Sequence, residues 1–165
     1  MDQGQRVFFV ATAPLAADGH VNCSPKGLDC LRVLGPREVA YLDLTGSGVE
    51  TVAHVRENGR IVLMFCAFEG PPKIVRLHGR ATVLRPGEAA FDALRPGFAD
   101  HAGVRSIIHV NVTRVSGSCG FGVPRFKPVA DRDQLQRYCE GKGEVAMAEY
   151  RRKKNARSID GLPAI

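Results

Sequence analysis

The chain has no CxxC pair, no Cys/His cluster at metal-ligand spacing, no apolar run long enough to cross a membrane, no internal repeat and no low-complexity linker. Each absence removes a class of protein. The five cysteines (Cys23, Cys30, Cys66, Cys119, Cys139) are odd in number and scattered, which argues against a disulfide framework and against a zinc site. Most of them are expected to be small buried hydrophobes. With no membrane span, and no signal peptide read before the first strand, the expectation is a cytoplasmic protein. At 44% hydrophobic and 24% charged, 165 residues fit one folded domain with a core of its own, not a disordered chain.

The net charge is +6, and much of the excess sits in the C-terminal segment "RDQLQRYCEGKGEVAMAEYRRKKNAR". The run Arg151, Arg152, Lys153 and Lys154 admits three readings: a nucleic-acid patch, a solvated helix face, or a positive cleft that draws in an anionic cofactor or substrate. The solvated face is preferred, and no nucleic-acid partner is expected.

The remainder reads mainly as short strands and turns. "RVFFVAT" is rich in β-formers, and "AADGH" carries an Asp-Gly turn signal. "GLDCLRVL" continues extended, and "GPRE" turns the chain into "VAYLDL". "VAHVREN" predicts a short helix stopped by Asn58-Gly59, with His54 facing solvent. "RIVLMFCAF" reads as a strand buried on both faces, and "KIVRLHGRATVL" alternates with period two. "PGEAAFDALRPGF" predicts a short helix broken at Pro96-Gly97, and "RSIIHVNVTRV" a last strong strand. An irregular loop, "SGSCGFGVPRF", a helical stretch and a loose tail, "SIDGLPAI", follow. Strands joined by short turns must pair antiparallel, because parallel neighbours need crossovers of a dozen residues or more. The fold class is therefore mainly β, an antiparallel barrel with flanking helices. Residues 1–125 form the barrel, and residues 126–165 a helical extension packed on it.

"YLDLTGSGVET" runs a strand through a Gly/Ser loop into a helix start. Gly46 and Gly48 begin a dinucleotide-like GxG, but Thr51 occupies the third glycine position and no second βαβ half follows. Ser47 and Glu50 spell a capping box. The same helix start offers free amides to a phosphate, against the repulsion of Glu50. On the residues alone, a turn and a phosphate cradle stand level.

The ordered set "FFVATAPLAADGHVNCSPKG", "VAYLDLTGSGVETVAHVRENGRIVLMF" and "PPKIVRLHGRATVL", covering about residues 6–85, resembles the pyridoxamine-5′-phosphate-oxidase-like flavin-binding split barrels. "SCGFGVP" and "KNARSIDGLP" resemble an oxidase-related bacterial branch of that family. The resemblance implies a six-stranded split barrel and a homodimer with flavin mononucleotide (FMN) in clefts at the dimer interface. It implies a redox reaction on a small-molecule substrate, with a non-catalytic flavin or haem carrier as the rival. It places Asn22, Ser24 and Lys26 along the flavin, Leu42 and Asp43 beside it, Ser47 on the phosphate, Thr51 in the first helical turn, and Arg76 at a basic position of the family pattern. Flavin adenine dinucleotide (FAD), a deazaflavin and haem stay open as alternative cofactors. The family's basic pair after the serine is replaced by Gly48 and Val49, and its flavin-contacting glutamine by Ile74. Its substrate-gripping C-terminal arginine signature has no counterpart in "SIDGLPAI", so vitamin B6 oxidation is not expected.

Outside that pattern, Phe121 is a candidate to stack on a flavin. Cys119 is the candidate reactive thiol, with His109 as the nearest base along the sequence. No residue is assigned as an essential catalyst, and no metal site is expected.

Overall fold

A computed structural model describes residues 6–165. Seven strands form one sheet: β1 (Phe8–Thr12), β2 (Asn22–Lys26), β3 (Leu31–Gly35), β4 (Glu38–Leu44), β5 (Arg60–Cys66), β6 (Ile74–Leu84) and β7 (Val104–Ser118). Its order is β2-β1-β5-β6-β7-β4-β3, and every pairing is antiparallel. The two edge strands, β2 and β3, are consecutive in the chain and joined only by residues 27–30. A sheet whose two edges are tethered that closely has to curl on itself, and its edges meet without pairing. That is a split barrel, with seven strands among the described residues where six were expected. The turn at the split is made by Leu28 and Asp29, both left-handed (φ 60 and 50), and by the Cys30 carbonyl, which accepts the Leu42 amide at 2.9 Å.

Strand β4 pairs with β3 and β7, whereas β5 pairs with β1 and β6. The strand–helix–strand unit across residues 39–68 is therefore not a parallel βαβ, and a Rossmann site is excluded. Inside the barrel, Phe8, Val10, Leu63, Leu77 and Ile107 form the centre of the core. Phe8 stacks on Phe65 and meets Tyr41 edge-on, both at 5.6 Å.

Helix α1 (Glu50–Asn58) packs against β1, β5 and β6 and stops at Gly59, whose φ of 69 is the left-handed cap read from Asn58-Gly59. Helix α2 (Ala89–Leu94) runs into a 3-10 turn, Arg95–Gly97, at the expected break. Helix α3 (Gln134–Lys154) is bent at Gly143, where φ is 70 and ψ 168. No helix of the described residues is long and apolar enough to cross a membrane.

Several expectations change. The capping box does not form: the N-cap is Val49, with no side-chain cap, and Ser47 lies two residues outside it. Glu50 turns to the Ile159 amide instead (3.3 Å). Strand β5 is not buried on both faces, since Ile61, Leu63 and Phe65 are sealed while Val62 and Met64 stay half-buried. Strand β7 runs on through Ser118, into what read as loop. His54 is completely buried rather than facing solvent. The tail is not loose: Ala164 is buried, and its carbonyl accepts from both Arg56 (2.8 Å) and Arg85 (2.9 Å). Cys30, Cys66 and Cys139 are buried, and Cys23 and Cys119 exposed.

Candidate functional site

The alternation of β2 turns Asn22, Ser24 and Lys26 toward the barrel interior, opposite Thr12, Val10 and Phe8 of β1. β2 is an edge strand, so these side chains line the split. Asn22 Nδ2 donates to Thr12 Oγ1 (3.1 Å) and to Thr51 Oγ1 (3.0 Å), and Ser24 Oγ donates to Asn22 Oδ1 (2.9 Å). Thr12 Oγ1 lies 3.0 Å from His54 Nδ1. A neutral amide–hydroxyl chain thus joins β2, β1 and the first turns of α1.

Beside it lies a charged knot. Asp43, in the apolar strand "VAYLDL", is fully buried, and Arg105 grips both its oxygens, Nε to Oδ2 at 2.7 Å and Nη2 to Oδ1 at 3.2 Å. Ser106 Oγ donates to Oδ2 (3.1 Å), and Lys26 Nζ lies 3.6 Å from Oδ1, reaching across the split. Burial alone would push the Asp43 carboxyl up. The charges of Arg105 and Lys26 and the hydrogen bonds from Arg105 and Ser106 outweigh it and hold the group below the ordinary carboxylate range. One carboxylate against two cations leaves the knot one positive charge in excess. Burial drives the neighbouring Tyr41 hydroxyl well above its usual range, helped by the Asp43 charge, and raises the Cys30 thiol to about 11. Tyr41 Oη has no hydrogen-bond partner among the described residues.

The knot also sets the loop at residues 46–49. Arg105 Nη1 donates to the Gly48 carbonyl (3.0 Å) and to Asn155 Oδ1 (2.9 Å). Asn155 Nδ2, from just beyond α3, donates to the carbonyls of Gly46 (3.1 Å) and Ser47 (3.4 Å). Three successive carbonyls therefore point into the protein. The peptide bonds are all trans, so the amide following each carbonyl points the opposite way. The N–H groups of Ser47 and Gly48 are turned outward in the exposed loop before α1, whereas Val49 itself is buried. Backbone amides presented in this way beside a helix start can receive an anion. Glu50 opposes it, since its carboxylate lies so close to Gly48 that a Cβ there would collide with it.

The sequence-derived candidates thus fall into groups. Asn22, Ser24, Lys26, Asp43, Ser47 and Thr51 are brought around the split and its loop. Leu42 is core, 1% exposed. Arg76 sits on the outer face of β6, with Nη1 on Ser118 Oγ at 3.1 Å, and Phe121 is exposed in the segment after β7; neither joins the cluster within one chain. Cys119 and His109 cannot work as a pair, because ten residues of extended strand separate them by roughly 30 Å. His78 is held on the outer face by Ser116 (3.1 Å).

Arg105 and Asn155 position the cradle and were not among the candidates. Arg105 had a visible signal, as a charge inside the apolar "VRSIIHV" that matches the lone Asp43 of "YLDL". Asn155 had none.

A barrel split at its edge strands, with a polar β2 at the split and outward loop amides before a helix, is the class of fold that the described residues define. The comparisons narrow it. Residues 3–119 match the family model described as pyridoxamine 5'-phosphate oxidase. The pyridoxamine 5'-phosphate oxidase family protein ustO of Aspergillus flavus is 38% identical over 98% of this chain and 71% of its own length. Among solved structures, HupZ of Group A Streptococcus superposes with a TM-score of 0.53 at 22% identity, over 70% of this chain and 92% of that one. An FAD-binding protein of Mesorhizobium loti gives 0.51 at 17%, over 70% and 86%. An FMN-binding, pyridoxamine 5'-phosphate oxidase-related protein of Nostoc punctiforme gives 0.51 at 10%, over 72% and 76%. The chain belongs to the pyridoxamine 5'-phosphate oxidase family.

Proposed function

We propose that the protein is a homodimeric flavoprotein that binds FMN at the split and acts as an oxidoreductase on a small organic molecule other than the vitamin B6 phosphates. The observation that carries the reading is the pair of outward amides at Ser47 and Gly48, fixed from behind by Arg105 and Asn155. Two exposed N–H donors beside a helix start suit a phosphate monoester. The excess positive charge of the Asp43–Arg105–Lys26 knot supplies part of the countercharge that Gly48 and Val49 cannot. The relatives described as FMN-binding and FAD-binding point the same way.

In this reading Ser47 and Gly48 hold the phosphate, and Asn22, Ser24, Lys26 and Thr51 line the cleft. Arg76 and Phe121, remote from the cleft of their own chain, are proposed to act on the flavin of the partner subunit. A bound flavin supplies the hydride or electron chemistry. The chain contributes orientation and charge. Among the described residues, Asn22, Ser24 and Thr51 are committed to one another and Asp43 is locked by Arg105, so none of these four is free to move a proton. That same observation favours a second reading, a flavin carrier without turnover.

The purified protein should show flavin absorption, and the ligand released on denaturation should have the mass of FMN. Ser47→Asp places a carboxylate at the mouth of the cradle and should weaken FMN binding at least tenfold, by fluorescence titration, with unfolding unchanged. A colourless protein that takes up no added FMN sinks the proposal.

A further inference from the structure

We infer that the recess beneath the C-terminal half of α3 is a second site, for a small organic anion, held by Arg85, Arg151 and Arg152. It is a cavity of about 280 Å³ between the first turn of α1, the end of β6, the start of β7 and α3. Its apolar wall is made by Val52, Val83, Val104 and Ile165, and four arginines, Arg85, Arg105, Arg151 and Arg152, are among its lining residues. No Asp or Glu side chain lines it.

Arg105 is committed to Asp43, Gly48 and Asn155. The other three have donors to spare. Arg85 gives one nitrogen to the Ala164 carbonyl, and Arg151 gives one to Thr45 Oγ1 at 3.3 Å. None of the three meets a carboxylate among the described residues, although Arg6, Arg32, Arg95 and Arg137 each find one within 3.6 Å. Arginines without a carboxylate are common in this basic chain; what distinguishes the recess is that three of them line one cavity that no Asp or Glu side chain enters. Like charges gathered in a partly desolvated space repel, and an anion relieves them. The planar fork of arginine matches a carboxylate or a phosphate two bonds at a time, and the apolar wall receives an apolar body. The volume lies at the low end of the ~300–1,000 Å³ of ligand pockets, which suits a single-ring carboxylate or phosphate monoester and not a dinucleotide. The basic run at the end of α3 is thereby divided: Arg151 and Arg152 line the recess, whereas Lys153 and Lys154 lie in solvent.

The test uses the full chain at constant ionic strength, with benzoate, phenyl phosphate, inorganic phosphate and the neutral benzyl alcohol as probes. Calorimetric titration and thermal unfolding should show saturable binding of benzoate or phenyl phosphate, and none of benzyl alcohol. The tighter of the two anions identifies the head group. Arg151→Gln with Arg152→Gln should weaken binding at least tenfold. Arg152→Gln alone, at an exposed position, should weaken it at least threefold and answers the question if the double variant fails to fold. Ser47→Asp should leave benzoate binding unchanged while FMN binding is lost, so this site and the flavin site can fail separately. Equal binding of benzyl alcohol, wild-type affinity in the glutamine variants, or reproduction of the whole effect by inorganic phosphate would overturn the assignment.

Discussion

Around Asp43 the protein buries a carboxylate and surrounds it with two cations, whereas around His54 it buries neutral polar groups and leaves one nitrogen, Nε2, without a partner among the described residues. The two assemblies are neighbours, joined through β2, where Lys26 belongs to one and Asn22 to the other. Their sensitivities should differ accordingly. Removing one member of a buried ion pair strands the other, which costs about 3–5 kcal/mol, whereas a neutral hydrogen bond is worth about 1 kcal/mol. The charged knot also holds up the cradle, so damage there should reach the ligand.

The largest expected effect is therefore Arg105→Leu. It strands the Asp43 carboxylate with only Lys26 at 3.6 Å and the Ser106 hydroxyl at 3.1 Å, and should lower stability by about 3–5 kcal/mol in urea unfolding. The comparison sharpens in the double variant: Asp43→Leu with Arg105→Leu removes the buried charge altogether and should be more stable than Arg105→Leu alone. If the double variant is the weaker of the two, the knot is not limited by uncompensated charge. FMN binding should stay lost in both, because the Gly48 carbonyl has lost its donor.

Asn155→Ala comes next. It removes the donors to Gly46 and Ser47 and takes one of the two acceptors of Arg105 Nη1, leaving the Gly48 carbonyl, so a loss of about 1–3 kcal/mol is expected. FMN should bind roughly tenfold more weakly, equivalent to about 1.4 kcal/mol. Full destabilisation with unchanged FMN affinity would mean that the loop keeps its shape without Asn155.

The sequence made the barrel legible because it rests on local signals. Short turns between β-rich runs force antiparallel pairing, and Asn58-Gly59 stops α1 by backbone geometry alone. The split itself was not readable, because it depends on which strands become edges. The site was legible where a residue conflicts with its surroundings. Asp43 and Arg105 are both charges in apolar strands, yet their pairing across 62 positions is a fact of topology. Ser47 and Glu50 spell a capping box, and a competing tertiary contact, Ile159 with Glu50, overrides it. His54 was misplaced for a related reason. "VAHVREN" shows a polar side, and that side is covered by the tail, whose own sequence gives no sign that it docks.

The tail ties His54 to a second histidine of opposite behaviour. His20 donates its backbone amide to Asp160 (2.8 Å), and its ring meets the same carboxylate at 2.6 Å. That hydrogen bond raises the His20 pKa above its ordinary 6.5, assisted by the charges of Asp160 and Asp18 against slight desolvation. Burial lowers that of His54 below 6.5, against the charges of Asp160, Glu57 and Glu50. By linkage, His20 contributes stability that is complete below pH 6.5 and is lost as pH rises through its raised pKa. His54 resists a proton that the unfolded chain accepts, so stability falls as pH drops from 6.5 through its lowered pKa. The two windows lie on opposite sides of 6.5, and together they should give a stability maximum near that pH. Asp43 and Asp160, both held below 3.8, act only in stronger acid. His54→Leu should flatten the acid side of the profile below pH 6.5 and, because it removes an unpartnered nitrogen but also the partner of the buried Thr12 hydroxyl, cost about 1 kcal/mol at pH 7. His20→Asn should flatten the alkaline side by a smaller amount, because that pair is exposed and screened by solvent. Urea midpoints measured at half-unit steps from pH 5 to 8 decide the matter; three superimposable profiles would remove both histidines from the account.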